Sequence, residues 1–204
     1  MNQSRVWWSV KIFTSTHIVM DDGEAGDTTC TLFFDDTQDT SRRVDFIGRK
    51  LKWGSSTVEL ALLEMDTCNE EVAKNLFAEI KRFNTNWKVL HDRYKDDKDM
   101  EKLVIIVSHP HGGAKRVSVG FGVDVGQEMN LGYSKYIYTT PTCMGSCGAP
   151  VYILGKDWFR TEYVHLGTFK CGVSIATSET IDKGEIPEIY KKHNNYSARW
   201  YYQN

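Results

Sequence analysis

Gly145-Ser146-Cys147-Gly148-Ala149-Pro150, followed by the apolar run Val151–Leu154, is the stretch on which the reading of this chain turns. Glycines on both sides of Ser146 and Cys147 let the backbone turn tightly. In such a turn the N–H of Cys147 and that of Gly145, two residues earlier, can point at one oxyanion. Pro150 then sets the entry into a strand. Taken alone, the stretch fits two readings: a nucleophile presented on a sharp turn, or a glycine-rich turn around a buried cysteine.

Two upstream segments bear on that choice. Thr14-Ser15-Thr16-His17-Ile18-Val19 sets a histidine directly after an apolar strand, and Glu59-Leu60-Ala61-Leu62-Leu63 sets an acid at the start of a strand suited to burial. Each has an ordinary reading too, as a structural histidine and as a solvent-facing edge carboxylate.

Around these segments the chain is punctuated into short strands. Val6–Met20, Thr28–Phe34, Arg43–Phe46 and Thr57–Leu63 are rich in β-branched and aromatic residues. The pattern changes at Asn69, where Val72, Leu76, Ile80 and Phe83 recur on one helical face. Asn69 suits an N-cap, Glu70 and Glu71 the first turn, and Lys81 and Arg82 the last. Trp87, Leu90 and Tyr94 suggest a second short helix, and Lys95–Lys102 a solvated linker. Strands resume at Leu103–Val107, Arg116–Val125, Tyr133–Thr140, Ala149–Leu154, Val164–Phe169 and Gly172–Ala176. Two β subdomains joined by a helix-bearing connector are the expectation.

The order of histidine, acid and nucleophile resembles the chymotrypsin-like superfamily of peptidases. Thr14 to His17 is similar to that family's histidine segment, and Glu59 to Leu63 to its acid segment. Gly145 to Pro150 is similar to its nucleophile segment, with Cys147 where serine is usual. The separations, 42 residues from His17 to Glu59 and 88 from there to Cys147, suit a two-barrel layout. Cysteine at this place, with glutamate as the orienting acid, resembles virus main proteases of the picornavirus and calicivirus types. Ser108-His109-Pro110-His111-Gly112 and Thr142-Cys143-Met144-Gly145 also resemble a group of animal trypsin-like domain proteins, which usually carry serine.

The resemblance implies an all-β fold: a chymotrypsin-like double β-barrel with a helical insertion between the barrels. Its expected parts are an N-terminal β subdomain over 1–68, a helical connector over 69–101, a C-terminal β-barrel over 102–180 and a tail over 181–204. Only 16 residues precede His17, so the first barrel is expected to be incomplete. The implied activity is that of an endopeptidase using Cys147, His17 and Glu59 through a thioester, with Gly145 and Cys147 as the oxyanion hole. The alternative is an inactive trypsin-like module serving as a protein-binding scaffold. Asp45 and Asp66 are the competing acids.

Thr142 and His165 are similar in place to the pair that binds a glutamine side chain in the virus enzymes, which implies cleavage after Gln, with Glu second. A hydroxyl and a neutral imidazole N–H can both donate to one amide oxygen. His165 reads equally well as a core histidine bonded to Tyr136 or Tyr138.

The remaining composition narrows the class. Lys and Arg number 25 against 27 Asp and Glu, a formal charge of -2, which gives no argument for a nucleic-acid partner. No apolar run is long enough to suggest a membrane span. Five irregularly spaced cysteines suit a reducing, intracellular setting, cellular or as a virus-encoded protein in a host cytoplasm. Cys30, Cys68, Cys143 and Cys171 read as small buried residues. His109 and His111 form a His-x-His pair with no acids or cysteines clustered nearby, so no metal and no cofactor is expected. A polypeptide substrate is the expected partner.

Overall fold

The computed structural model describes residues 6–56, 59–99, 103–128, 133–156, 163–168 and 174–179. Their elements run β1 (Trp8–Ser15), α1 (Asp22–Asp27), β2 (Thr29–Leu32), β3 (Val44–Ser55), β4 (Leu60–Thr67), α2 (Glu70–Tyr94), β5 (Leu103–Ser108), β6 (Arg116–Glu128), β7 (Tyr133–Tyr138), β8 (Pro150–Ile153), β9 (Tyr163–Thr168) and β10 (Ser174–Glu179). The fold is mostly β, with two curled sheets and few helices, as expected for the trypsin-like double barrel. The tail over 181–204 and Cys171 lie outside the described residues.

The first sheet is four-stranded and open, in the order β1-β4-β3-β2. β4 is its centre, and Leu60 to Met65 are all buried. β3 is longer than the sequence suggested. Apolar and basic residues alternate loosely through Ile47-Gly48-Arg49-Lys50-Leu51-Lys52-Trp53, and irregularities at Gly48/Lys50 and Leu51/Trp53 keep its apolar side in register with β4. Val10, Phe46, Met65 and Val72 form the core on one side, and Val19, Ala25 and Leu63 a smaller cluster. The short helix α1 was not expected. Asp21 caps it by accepting from Glu24 N.

The second sheet closes as a six-stranded barrel, β10-β7-β6-β5-β8-β9. Its interior holds Val104, Ile106, Tyr136, Tyr138, Val151, Ile153, Tyr163 and Ala176. Outside the barrel, Val117, Val119, Phe121 and Val123 alternate along β6 as exposed apolar residues.

One continuous helix, rather than two, connects the sheets. Asn69 caps α2 as expected, its side chain accepting from Val72 N at 3.2 Å. Its first turns pack Val72 and Leu76 on the open sheet. Twenty-five residues span roughly 37 Å at about 1.5 Å each, so its far end reaches the barrel, where Phe83 and Trp87 cover Tyr152 at ring separations of 5.4 and 5.2 Å. The turn after β8 comes up under the end of the helix, with Gly155 against the Tyr94 carbonyl.

Trp87 is buried and is the principal anchor of α2 on the barrel. Trp87→Ala should destabilise the protein by about 3 kcal/mol, read as a lower urea midpoint with the transition slope unchanged.

Candidate active site

The site begins with register. β1 and β4 pair antiparallel with Ser15 opposite Leu60, so the next residue along β1, Thr16, meets the one before β4, Glu59. Thr16 N donates to the Glu59 carbonyl at 3.2 Å, and Thr16 Oγ1 donates to Glu59 Oε2 at 3.0 Å. Glu59 takes a left-handed backbone with φ of 53°, a conformation that is uncommon and costly for a side-chain-bearing residue. The turn after β1 is closed by Ile18 N and Val19 N, both donating to the Ser15 carbonyl. This turn swings His17 back over the strand end, where its Nδ1 lies 3.2 Å from Glu59 Oε2.

His17 and Glu59 are therefore together, with side chains 44% and 37% exposed. The competing acids are engaged elsewhere: Asp66 pairs with Arg49 at 2.5 Å, and Asp45 accepts from Thr31 at 2.5 Å. Nδ1 has a second neighbour that the sequence reading did not name, Ser15 Oγ at 2.7 Å. A serine two residues before a histidine in a tight turn was the available signal.

Cys147 arrives from the other sheet. Gly148 is the residue that permits the approach: with φ of 79°, it has Thr14 Oγ1 2.6 Å and Ser15 N 3.0 Å from where a Cβ would stand. Any larger residue would push the turn off the end of β1. Leu60 and Trp53 of the first sheet pack on Val164 and Leu166 of β9, which closes the seam below.

The turn itself is braced so that two N–H groups are left over. Ser146 N, Gly148 N and Ala149 N donate to Cys143, His165 and Ser146 carbonyls. Among the described residues, no backbone carbonyl takes the N–H of Gly145 or Cys147. The Met144 carbonyl accepts from His111 N at 2.6 Å. In a trans peptide the C=O and N–H point in opposite directions, so that bond turns the Gly145 N–H away from the His109–Gly113 turn. Gly145 has φ of 90°, and a Cβ there would lie 2.9 Å from His111 N. Below the turn, the buried hydroxyls of Ser108 and Ser146 bond at 3.1 Å.

The Cys147 thiol is half-buried and donates to the Leu166 carbonyl at 3.2 Å; no hydrogen bond joins it to His17. Burial raises its pKa above the usual thiol value, so it rests protonated. Needing less activation than a serine hydroxyl is an intrinsic property of a thiol, but here the environment works against a standing thiolate.

His165 is buried, and its Nδ1 lies 2.7 Å from the Tyr138 hydroxyl. Burial, with a smaller contribution from His17, lowers its pKa to about 4, which keeps the ring neutral. Burial also raises the pKa of Tyr138, and Cys147 adds to this, so the tyrosine stays a phenol. Among the described residues, Thr142 makes no hydrogen bond to His165. Its hydroxyl bonds Thr168 Oγ1 at 2.6 Å and lies 3.4 Å from Ser174 Oγ.

His109 and His111 have structural partners. The His109 ring stacks on Phe34 at 5.0 Å and its Nδ1 lies 3.1 Å from the Gly113 carbonyl. No group of three or more metal-ligating side chains occurs among the described residues. Cys68 and Cys143 are exposed, correcting the expectation that they are buried; both lie on segments linking elements, where no sheet covers them. No helix among the described residues is long and apolar enough to cross a membrane.

No protein-family model and no curated protein matches this chain. Solved structures do resemble it. The inactive form of the M. tuberculosis H37Rv protease Rv3671c matches over 95% of this chain and 89% of its own, at 12% identity and TM-score 0.48. Deg5 matches over 94% and 87%, at 14% identity and TM-score 0.48. The HtrA-type protease AlgW with a decapeptide matches over 83% and 44%, at 14% identity and TM-score 0.47.

A neutral buried histidine stabilises the fold at pH values above its unfolded pKa, and that stability is lost as pH falls toward the folded value. For His165 the window runs from the unperturbed 6.5 down to about 4. The protein should lose up to about 3 kcal/mol across it. His165→Asn should flatten that part of the stability–pH curve, read by urea unfolding of both proteins at each pH.

Proposed function

We propose that this chain is a cysteine endopeptidase in which Cys147 attacks, His17 shuttles the proton and Glu59 orients His17. One observation carries the reading. The turn bearing Cys147 is seated by Gly148 on the same strand end that presents His17 to Glu59.

The cycle needs a rotation first. The Cys147 thiol leaves the Leu166 carbonyl and gives its proton to Nε2 of His17. The sulfur attacks the scissile carbonyl carbon, and the electron pair moves to oxygen. The N–H groups of Gly145 and Cys147 hold that oxyanion. The imidazolium then protonates the departing amine as the C–N bond breaks, leaving a thioester. Water, losing a proton to His17, attacks the thioester, and the thiol recovers its proton as the acid departs. Because burial keeps the resting thiol protonated, general-base help from His17 is required rather than optional.

His165 and Thr142 line the proposed primary pocket. With Nδ1 taken by the Tyr138 hydroxyl, the remaining ring nitrogen carries the N–H that a glutamine side-chain carbonyl can accept from. A pocket built to bond an amide discriminates strongly against apolar side chains. The setting proposed is a reducing compartment, where the exposed Cys68 and Cys143 remain thiols.

The alternative, a scaffold without turnover, separates in one experiment. A peptide carrying an electrophile at its C-terminal carbonyl should modify Cys147 stoichiometrically in the parent chain and hardly at all in His17→Ala. Cys147→Ala should abolish peptide cleavage with the fold kept, and Cys147→Ser should retain little. Cleavage by Cys147→Ala at the parent rate ends the reading.

Profiling on a peptide library should show cleavage after Gln, with Glu second, and His165→Ala should lose that preference. A preference for basic or large aromatic residues would sink the pocket assignment while leaving Cys147 as nucleophile.

A further inference from the structure

His17 Nδ1 has one in-plane bonding direction, occupied either by a proton or by a lone pair. Two neighbours compete for it, Ser15 Oγ at 2.7 Å and Glu59 Oε2 at 3.2 Å. They require opposite things of it. An ionised carboxylate only accepts, so it needs Nδ1–H. Ser15 is fully buried, and among the described residues its hydroxyl has no hydrogen-bond partner except Nδ1. If that hydroxyl accepts from Nδ1–H, its own proton is left buried without an acceptor, which is unfavourable. It is satisfied when it donates to a bare Nδ1, with the ring proton on Nε2.

The geometry points to Ser15 as a positioning residue that opposes Glu59: the buried hydroxyl favours the Nε2–H tautomer of His17, and the carboxylate overrules it in favour of Nδ1–H. This rests on the reading of His17 as the base. A ring with its proton on Nε2 has no lone pair to offer the Cys147 thiol. Both working forms, the neutral base and the imidazolium, carry a proton on Nδ1.

The balance between the neighbours is close. A charge-assisted bond is roughly twice as strong as a neutral one, which favours Glu59. However, the Glu59 side chain is 37% exposed and its bond is the longer, whereas Ser15 is 0% exposed. Water weakens the carboxylate's hold and leaves the serine's untouched. Glu59 thus has a task beyond holding the ring: it selects the tautomer against a built-in competitor.

The test uses the full chain with ¹⁵N-labelled histidine, at a pH where His17 is neutral. The ¹⁵N shifts and long-range ¹H–¹⁵N couplings of its ring report the tautomer without any substrate. The parent should show Nδ1–H. Glu59→Ala should show Nε2–H; alanine is chosen because the carboxamide of a glutamine could itself donate to Nδ1. Ser15→Ala combined with Glu59→Ala should raise the share of Nδ1–H above that of Glu59→Ala alone, toward the minor share a free imidazole shows.

In the kinetic arm, Glu59→Ala should lower kcat/KM by about 100-fold. Adding Ser15→Ala should recover about tenfold of that loss, an improvement that loss of a merely structural hydroxyl would not produce. The proposal is overturned if Glu59→Ala keeps Nδ1–H, or if the double variant is no faster than the single. Should Ser15→Ala fail to fold, Ser15→Gly takes its place in the same comparison, because an unrestrained neutral imidazole already favours Nε2–H and only removal of the hydroxyl reports on Ser15. If the parent cleaves nothing, the peptidase reading fails, and the tautomer measurement still settles the role of Ser15.

Discussion

The arrangement depends on one close approach, the seating of Gly148 on Thr14 and Ser15. A Cβ at that place would meet the Thr14 hydroxyl at 2.6 Å and the Ser15 backbone nitrogen at 3.0 Å, and the second cannot step aside as a side chain would. Beside it the two sheets meet in an apolar seam formed by Leu60 and Trp53 against Val164 and Leu166. The glycine therefore fixes how far apart a cysteine from the barrel and a histidine from the open sheet stand. The hydrogen bonds of the site are secondary to that spacing.

The second tier of support comes from segments with no chemistry of their own. The Met144 carbonyl is held by His111 N, and Ser146 is held from below by Ser108. These bonds set which way the peptide before Gly145 faces. The His109–Gly113 turn is in turn fastened to the first sheet's long loop by the Phe34 stack and by the Lys115–Asp35 ion pair. The peptide between Met144 and Gly145 is thus anchored from both sheets, although only one of them carries Cys147.

Much of this was legible in the chain. Asn69 with its two following glutamates announced α2, and the resemblance brought His17 and Glu59 together, a meeting that the β1–β4 register makes. The break expected near Phe83 does not occur. Asn84, Thr85 and Asn86 are weak helix formers, but the docking of Phe83 and Trp87 on Tyr152 carries the helix through them. The length of β3 was hidden by its basic residues, which face solvent and the buried Glu64. The resting direction of the Cys147 thiol and the second partner of His17 Nδ1 depend on side-chain placement across the seam, which no local pattern encodes.

Because α2 roots its first turns in the open sheet and its last in the barrel, neither sheet owns it. Separating the sheets would strip apolar cover from Val10 and Phe46 at one end and from Tyr152 at the other. The free energy of each half thereby includes surface supplied by the same rod, so partial unfolding of one half exposes the other. A protein built this way melts as a single cooperative unit even though its strands belong to two sheets.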